Sequence, residues 1–397
     1  MFKPFEINKS LYYVGVNDRT KHRFEGLWPL PKGVSYNSYL LIDDKTALID
    51  TVDVCYSDTF FQKLETTLNG KALDFLIINH MEPDHSGLVG LLRTRFPNIR
   101  IVGNARTLEM VKGYYGITEN VMAVKDCDEL SLGTHTLKFY LTPMVHWPET
   151  MMTYDVVSKT LFAGDAFGTF GSLDGGILDT QLDSSKYWNE MIRYYSNIVG
   201  KYGSPVQKAL EKLSGVDIRM ICSTHGPIWT QEENISKVVE LYDKLSRYEA
   251  DPGVVIAYGS MYGHTEQMAE AIASEMALEG VKNIVLHNVS KSLHSYIIRD
   301  IFKYKGLIIG SPTYNNGLFP EVASLITRIE ERDMKNRYFG FFGSFTWAGA
   351  AVKRIAAFAE NSKFEIVGPA AEAKQRLNEE SYESCKLLAQ AMATKLK

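Results

Sequence analysis

The segment NHMEPDHSG packs four metal-binding side chains into six residues, namely His80, Glu82, Asp84 and His85. His80 and Glu82 are two residues apart and can face the same way. Asp84 and His85 follow a bend expected at Pro83 and should point at a neighbouring position. Four protein ligands would saturate a lone tetrahedral zinc and leave it no open position. The segment therefore predicts two adjacent metal ions.

Three more candidates follow other predicted strands: His146 ends LTPMVH, Asp165 ends LFAGD and His225 ends ICSTH. A single His or Asp at a strand end is more often a cap or an ordinary satisfied polar group. Seven such residues together predict a dinuclear site. The remaining five histidines lack this context and are interpreted as having no metal-binding role: His22, His135, His264, His287 and His294.

Short apolar strands are predicted to position these side chains. The stretch YLLIDDKTALIDT, residues 39–51, is typical of a hairpin of two apolar runs. Five later runs are each short, mostly apolar and followed by a polar residue, as expected of buried strands. They are FLIINH (75–80), IRIVGN (99–104), LKFYLTP (137–143), TLFAGD (160–165) and IRMICSTHG (218–226).

The pattern changes near residue 250, where Asp251-Pro252-Gly253 indicates a turn or linker. Beyond it, the apolar runs VVIAYGS, IVLHNV, GLIIGSP and YFGFFGS alternate with helical stretches. The first helix carries Met268, Ile272 and Met276 on one face and should end at Gly280. This alternation predicts a doubly wound parallel sheet. We therefore predict two domains, residues 1–249 and 250–397.

Three loops of the second domain predict a cofactor site. SMYGHT, residues 260–265, can wrap a phosphate with backbone N–H groups, hydroxyls and the positive end of a helix dipole. It lacks G-x-x-x-x-G-K-[ST] and G-x-G-x-x-G, so neither a nucleoside triphosphate nor a dinucleotide is expected. Capping of the helix that follows would by itself account for the Ser, Thr and Gly residues of this loop. Two further loops, residues 311–317 and 344–349, should meet it at the carboxyl edge of the sheet, where Tyr314 and Trp347 could flank a flat ring.

The predicted cofactor contacts come from all three loops. They are Ser260, Met261, Tyr262, Gly263, His264, Thr265, Pro312, Thr313, Tyr314, Asn315, Gly317, Ser344, Phe345, Thr346, Trp347 and Gly349.

The motif His80-x-Glu82-x-Asp84-His85, with the three later candidates, resembles the metallo-β-lactamase fold in its flavodiiron version. The second region resembles flavodoxin, and the two resemblances cover essentially the whole chain. They imply an α/β protein with an N-terminal metallo-β-lactamase-like αββα sandwich and a C-terminal flavodoxin-like parallel sheet, with FMN and two iron ions as cofactors. By the resemblance, one iron takes His80, Glu82 and His146, the other takes Asp84, His85 and His225, and Asp165 bridges them.

The resemblance raises the question of why a glutamate stands at position 82, where hydrolytic members of the fold carry a histidine. Carboxylates are hard, anionic ligands that suit iron better than zinc. Glu82, Asp84 and Asp165 together lower the cost of a ferric state. Zinc has no redox chemistry. Glu82 is therefore interpreted as the residue that changes a hydrolytic zinc site into a redox-active iron site.

The resemblance implies an oxidoreductase that reduces dioxygen to water, nitric oxide to nitrous oxide, or both. One flavin carries at most two electrons, so the four-electron reduction of dioxygen needs the flavin and the diiron centre together. The four cysteines form no C-x-x-C pair. Electrons are therefore expected from a separate donor, either rubredoxin or a flavin- or NADH-dependent reductase. The expected assembly is a head-to-tail homodimer or a dimer of such dimers.

Two alternatives stay open at the level of sequence. The first is a dinuclear hydrolase with an appended flavodoxin domain, which Glu82 argues against. The second is a non-catalytic electron carrier or redox sensor with a structural metal site. The crowded, carboxylate-rich ligand set argues against the second.

Length and composition limit the classes of protein that this chain could belong to. The 397 residues exceed the ~250–300 at which single cores stop growing, which agrees with two domains. A net charge of −4 without any basic run argues against nucleic acid or an anionic membrane as a partner. The N-terminus shows no signal-peptide pattern, and no run reaches the ~18 apolar residues of a membrane span. With scattered cysteines, these features predict a cytoplasmic protein.

Overall fold

A computed structural model describes residues 5–397 and divides the chain into two compact units between Asp243 and Lys244. This division falls within the helix Glu232–Ser246. The predicted domain boundary at residues 249/250 lies a few residues further along the chain and stays a prediction. The two units are described separately.

The first unit contains two main sheets. The predicted hairpin is present, because Tyr39–Ile42 and Thr46–Ile49 pair antiparallel with Leu40 opposite Leu48. The first sheet has seven strands, which lie side by side in chain order: Phe5–Glu6, Leu11–Tyr13, Tyr39–Ile42, Thr46–Ile49, Phe75–Ile77, Arg100–Gly103 and Val121–Ala123.

The second sheet has five strands, also adjacent in chain order: Glu129–Ser131, Thr136–Leu141, Met151–Asp155, Thr160–Gly164 and Met220–Ser223. Side chains of the two sheets meet in the core. The rings of Tyr39 and Phe162 lie 5.5 Å apart between centroids, and the Thr153 hydroxyl donates to Asn79 Oδ1 at 2.7 Å. The two sheets therefore pack as layers, as the αββα prediction requires.

Helices cover the sheets of the first unit. Asn104 caps the helix Ala105–Tyr115 by accepting from the backbone N–H groups of Arg106 and Thr107, and the helix ends at Gly116 with φ 68°. Beyond the helix Glu232–Ser246, the helices are Ser57–Leu68, Pro83–Ser86, Val89–Arg95, Ala105–Tyr115, Ser185–Tyr194 and Gly203–Leu213, with a 3₁₀ turn at Val54–Tyr56 and a π-helical segment at Tyr195–Val199.

Two small antiparallel pairs near the N-terminus have no counterpart in the sequence predictions. Val16–Asp18 pairs with Val34–Tyr36, and Arg23–Phe24 pairs with Trp28–Pro29. Strands of two or three residues are too short to show an alternation of apolar and polar side chains, so periodicity could not reveal them.

The second unit is a parallel sheet with the spatial order 2-1-3-4-5, the order of flavodoxin-like folds. The predicted strands are present. The main strands, from edge to edge, are Ile284–Asn288, Asp251–Tyr258, Tyr304–Tyr314, Lys335–Phe345 and Lys363–Ile366. Gly317–Leu318 and Ala371–Lys374 add short pairings to the third and fourth of these.

Five helices pack with this sheet: His264–Leu278, His294–Lys303, Pro320–Glu330, Ala351–Asn361 and Glu379–Leu396. The first ends two residues before Gly280, whose φ is 88°, and it buries Met268, Ile272 and Met276 as predicted. Across residues 5–397, none of the helices combines the length and apolarity needed to traverse a bilayer.

Candidate dinuclear metal site and flavin pocket

The quoted segment lies between a strand and a helix of one turn. His80 follows the strand Phe75–Ile77, and Glu82 immediately precedes the helix Pro83–Ser86. The bend expected at Pro83 is therefore a helical turn with proline at its first position, where its missing N–H costs nothing. This turn holds Asp84 and His85 on a rigid element.

The first group of donors consists of His80, Glu82, His146 and Asp165, with one donor atom from each within 4.8 Å of the others. Glu82 Oε2 lies 3.3 Å from His80 Nε2 and 3.2 Å from His146 Nε2. Asp165 Oδ2 lies 3.0 Å from His146 Nε2. His146 itself lies in a loop, because its strand ends at Leu141 rather than at the predicted residue 143.

The second group consists of Asp84, His85 and His225. Asp84 Oδ1 lies 3.3 Å from His85 Nε2, and Asp84 Oδ2 lies 3.4 Å from His225 Nε2. Asp165 Oδ1 approaches His85 Nε2 at 2.9 Å, while Asp165 Oδ2 faces the first group. Asp165 thus presents one carboxylate oxygen to each group. The structure brings all seven predicted residues together in the predicted two sets, and their binding of metal remains a prediction.

The donor atoms fit a pair of cations. Among residues 5–397 no hydrogen-bond partner is found for six of these buried donor atoms: Nε2 of His80, His85 and His225, Oε2 of Glu82, and both Oδ atoms of Asp84. Burying carboxylates without hydrogen-bond partners or counter-charges is costly. Two metal ions would supply the missing partners and the positive charge.

Burial and mutual charge shift the pKa values within the site. Burial alone lowers a histidine pKa, but Asp84 and Asp165 outweigh it and raise the pKa of His85 to about 9. Burial, reinforced by the charge of His85, lowers the pKa of His225 to about 4. Burial raises the pKa of Asp84 to about 7. The buried carboxylates therefore favour a positive charge on the groups beside them, as the raised pKa of His85 shows.

Two supporting groups were missed from the sequence. Glu149 Oε1 accepts from His80 Nδ1 at 2.8 Å, and the Ser35 carbonyl accepts from His225 Nδ1 at 2.7 Å. Such outer partners orient metal-binding histidines so that the other ring nitrogen faces the metal. Glu149 follows His146 closely in HWPE, which is a weak signal. A backbone carbonyl leaves no signal in the sequence.

Aromatic rings enclose the site. Trp147 meets His80 edge-on with ring centroids 5.2 Å apart. Phe24, Tyr36 and Tyr194 surround the His225 ring at 5.3, 5.8 and 5.5 Å. Phe24 and Tyr36 belong to the short strands near the N-terminus that the sequence did not reveal. These rings give the donor cluster an apolar surround, which strengthens electrostatic interactions within it.

Histidines outside the cluster have other partners. His135 Nδ1 pairs with Asp155 Oδ2 at 2.8 Å, and His287 lies between Ser292 and Asp300. His294 Nδ1 accepts from Arg328 at 3.1 Å. These contacts account for three of the five histidines that were given no metal-binding role.

The second unit has a cavity of about 470 Å³ at the carboxyl edge of its sheet. All three predicted loops line it. Ser260, Gly263, Gly317 and Gly349, which were predicted contacts, adjoin lining residues without lining the cavity. Three lining residues were not among the predicted contacts: Asn316, Ala348 and Gln375. The lining residues are Met261, Tyr262, His264, Thr265, Pro312, Thr313, Tyr314, Asn315, Asn316, Ser344, Phe345, Thr346, Trp347, Ala348 and Gln375.

The cavity fits a flavin mononucleotide chemically. One end lies at the start of the helix His264–Leu278, where backbone N–H groups and the helix dipole favour a phosphate. Ser260 Oγ accepts from Gly263 N at 3.1 Å and shapes this loop, while the hydroxyls of Thr265 and Ser344 lie 2.9 Å apart. Trp347, 85% exposed, and Tyr314, 41% exposed, supply flat surfaces for a ring. The individual contacts remain predictions.

The two units together define a class of protein. A metallo-β-lactamase-like layered domain carries a cluster with two carboxylate–histidine donor groups, and a flavodoxin-like domain with a cofactor cavity follows it. Such a protein joins a dinuclear metal site to a flavin site in one chain.

Comparison with known proteins gives the same division. Residues 34–226 match the ODP family beta lactamase model, and residues 256–387 match the flavodoxin model. The chain is 33% identical over 365 residues to an anaerobic nitric oxide reductase flavorubredoxin of Vibrio vulnificus, covering 90% of this chain and 73% of that protein. It is 32% identical over 386 residues to the Escherichia coli protein of that name, covering 96% and 80%.

Solved structures agree over nearly the full length. Rubredoxin oxygen:oxidoreductase from Desulfovibrio gigas superposes with a TM-score of 0.95 at 31% identity, covering 99% of this chain and 98% of that one. The flavodiiron protein from Giardia intestinalis gives 0.93 at 26% identity, covering 100% and 97%. The chain belongs to the flavodiiron protein family. It is an oxidoreductase whose cofactors are FMN and a diiron centre.

Proposed function

We propose that this protein reduces dioxygen to water, nitric oxide to nitrous oxide, or both, at its diiron centre. The single observation that carries the proposal is Asp165, whose two carboxylate oxygens face two adjoining donor groups. That arrangement suits two metals that act on one small substrate. The names of the relatives support both gases, since one relative is a nitric oxide reductase and another an oxygen oxidoreductase.

We propose that His80, Glu82 and His146 hold one iron, that Asp84, His85 and His225 hold the other, and that Asp165 bridges them. Bound iron would supply the electrons for gas reduction by cycling between its ferric and ferrous states. The protein contributes three anionic oxygen ligands that suit iron. Glu149 and Ser35 orient two of the histidines, and aromatic rings pack against His80 and His225.

We propose that the cavity of the second unit holds FMN. The loop of residues 260–265 would hold the phosphate through backbone N–H groups and the Thr265 hydroxyl, and Tyr314 and Trp347 would contact the ring. No Lys, Arg, Asp or Glu lines the cavity within residues 5–397. Phosphate binding would therefore depend on neutral donors and the helix dipole rather than on a fixed cation.

The electron donor is proposed to be a separate protein, either rubredoxin or a flavin- or NADH-dependent reductase. The name of the Desulfovibrio gigas relative, which includes rubredoxin, supports the first of these. We also propose a domain boundary near residue 250, a head-to-tail homodimer and a cytoplasmic location. All four cysteines lie within the described residues as free thiols, which agrees with a reducing compartment.

One experiment tests the activity directly. The purified protein is reduced anaerobically, dioxygen or nitric oxide is added in separate runs, and loss of each gas is recorded with an electrode. Consumption of at least one gas, with reoxidation of the flavin, supports the proposal. A protein that holds FMN and iron yet consumes neither gas contradicts it and favours a redox carrier.

The first prediction concerns composition. We expect the purified protein to contain FMN and about two irons per chain, because the structure has two adjoining donor groups and a cavity lined by the three predicted flavin loops. Elemental analysis and flavin extraction measure both quantities. Stoichiometric zinc without flavin would contradict the assignment and restore the hydrolase alternative.

A further inference from the structure

Glu149 is a fully buried carboxylate outside the proposed set of seven ligands, and it contacts one of those ligands directly. Its Oε1 accepts from His80 Nδ1 at 2.8 Å and from Met81 N at 2.9 Å. Its own backbone carbonyl accepts from the Asn104 side chain. Glu149 is therefore held in place from two sides, with its charge against the His80 ring.

Within residues 5–397, no carboxylate accepts a hydrogen bond from the outer ring nitrogen of a histidine in the other donor group. His225 Nδ1 donates to the neutral backbone carbonyl of Ser35 at 2.7 Å. His85 Nδ1 is buried and has no hydrogen-bond partner in the part of the chain that the structure describes. The two donor groups share Asp165 and have one further carboxylate each, Glu82 or Asp84. The buried Asp50 carboxylate also acts on His85 and His80 through its charge, but its hydrogen bonds go to Asn79. The charged hydrogen-bond acceptor of an outer ring nitrogen is thus an asymmetry between the two donor groups, found at His80 and not at His85 or His225 among residues 5–397.

This asymmetry has an electronic consequence. A carboxylate that accepts the outer N–H of a metal-bound imidazole makes that imidazole a stronger donor. A buried negative charge also stabilises the more positive state of a nearby metal, and its effect weakens with distance. Both effects favour the ferric state at the iron that His80 binds over the ferric state at the other iron.

We infer that Glu149 is a positioning and tuning residue that makes the two irons unequal in reduction potential. An iron held by His80, Glu82 and His146 would have the lower potential. An iron held by Asp84, His85 and His225 would therefore accept the first electron from an external one-electron reductant, and the iron at His80 would accept the second. This inference rests on the proposed diiron function.

The test is Glu149→Gln, which keeps the size and a hydrogen-bonding oxygen but removes the charge. Loss of an outer-shell partner typically costs about 10–100-fold in metal affinity. We expect the ferric state at the His80 site to lose about that factor relative to the ferrous state. In a potentiometric titration of the iron-loaded protein, followed by EPR of the half-reduced form, the lower of the two potentials should rise and the upper should move less.

Asp155→Asn is the matched control. Asp155 is buried and pairs with His135 Nδ1 at 2.8 Å, so the change removes one charge from a carboxylate–histidine pair outside the cluster. It should leave both potentials unchanged. If Glu149→Gln loses iron, Glu149→Asp keeps the charge with a longer contact, and it should raise the lower potential by a smaller amount.

The results separate this inference from the proposed function. If Glu149→Gln, or Glu149→Asp in its place, holds two irons but shifts the upper potential, both potentials equally or neither, the inference is wrong and the diiron function stands. If the wild type holds zinc in place of iron, the proposed function fails and the inference fails with it.

Discussion

Glu82→His is expected to abolish most gas reduction while leaving the fold intact. Glu82 lies between His80 Nε2 and His146 Nε2, and these contacts hold the pKa of its carboxyl well below the usual range against the effect of burial. A neutral imidazole removes one of the three anionic ligands, so the ferric state loses stabilisation and zinc competes better. Gas consumption should fall by about 100-fold or more, since even outer-shell changes cost about 10–100-fold.

The measurement combines gas consumption, metal content and thermal unfolding. The unfolding midpoint should move by only about a few degrees, because the substitution leaves both sheets unchanged. Glu82→Asp is the matched control: it keeps the negative charge and should retain iron in preference to zinc. Full activity in an iron-loaded Glu82→His protein would show that Glu82 does not tune the metal.

Mixing two inactive variants is expected to restore activity. We propose that the flavin of one chain serves the diiron site of its partner in a head-to-tail dimer. Each domain is roughly 30–40 Å across by the size scaling of compact domains. Electron transfer fast enough for turnover needs the flavin and the diiron centre to lie much closer together than that. A closed two-fold pair would satisfy this requirement with one repeated interface.

One variant carries Asp165→Ala and His225→Ala and lacks the metal site. The other carries Ser260→Asp and Thr265→Asp, which set anionic side chains against the phosphate and prevent FMN binding. Each homodimer should be inactive. A mixed dimer has one intact flavin and one intact diiron site on different chains, so it should recover part of the gas consumption.

The control for mixing is a pair of differently tagged wild-type proteins, which reports how completely subunits exchange. Isolation through both tags then provides mixed dimers of known composition. If such dimers form and stay inactive, or if the wild type is fully active as a monomer, the proposal of electron transfer between chains is wrong.

The amino-acid sequence by itself determined which residues assemble and in which kind of fold. His80, Glu82, Asp84 and His85 lie within six residues, so a single turn must bring them together whatever the rest of the chain does. The apolar runs of four to eight residues predicted the main strands, because buried strands need such runs. Polar residues after adjacent parallel strands necessarily share one edge of the sheet, and this placed the three flavin loops together.

Only the tertiary structure decided how the cluster is completed. Glu149 and Ser35 approach His80 and His225 from positions 69 and 190 residues away in the chain, and no local pattern encodes such pairings. Phe24 and Tyr36, which border the site, lie on strands of two and three residues. Gln375 reaches the flavin cavity from beyond the strand Ala371–Lys374. Residue type and spacing reveal potential ligands, but orientation and asymmetry depend on contacts between distant segments that exist only after the layers pack.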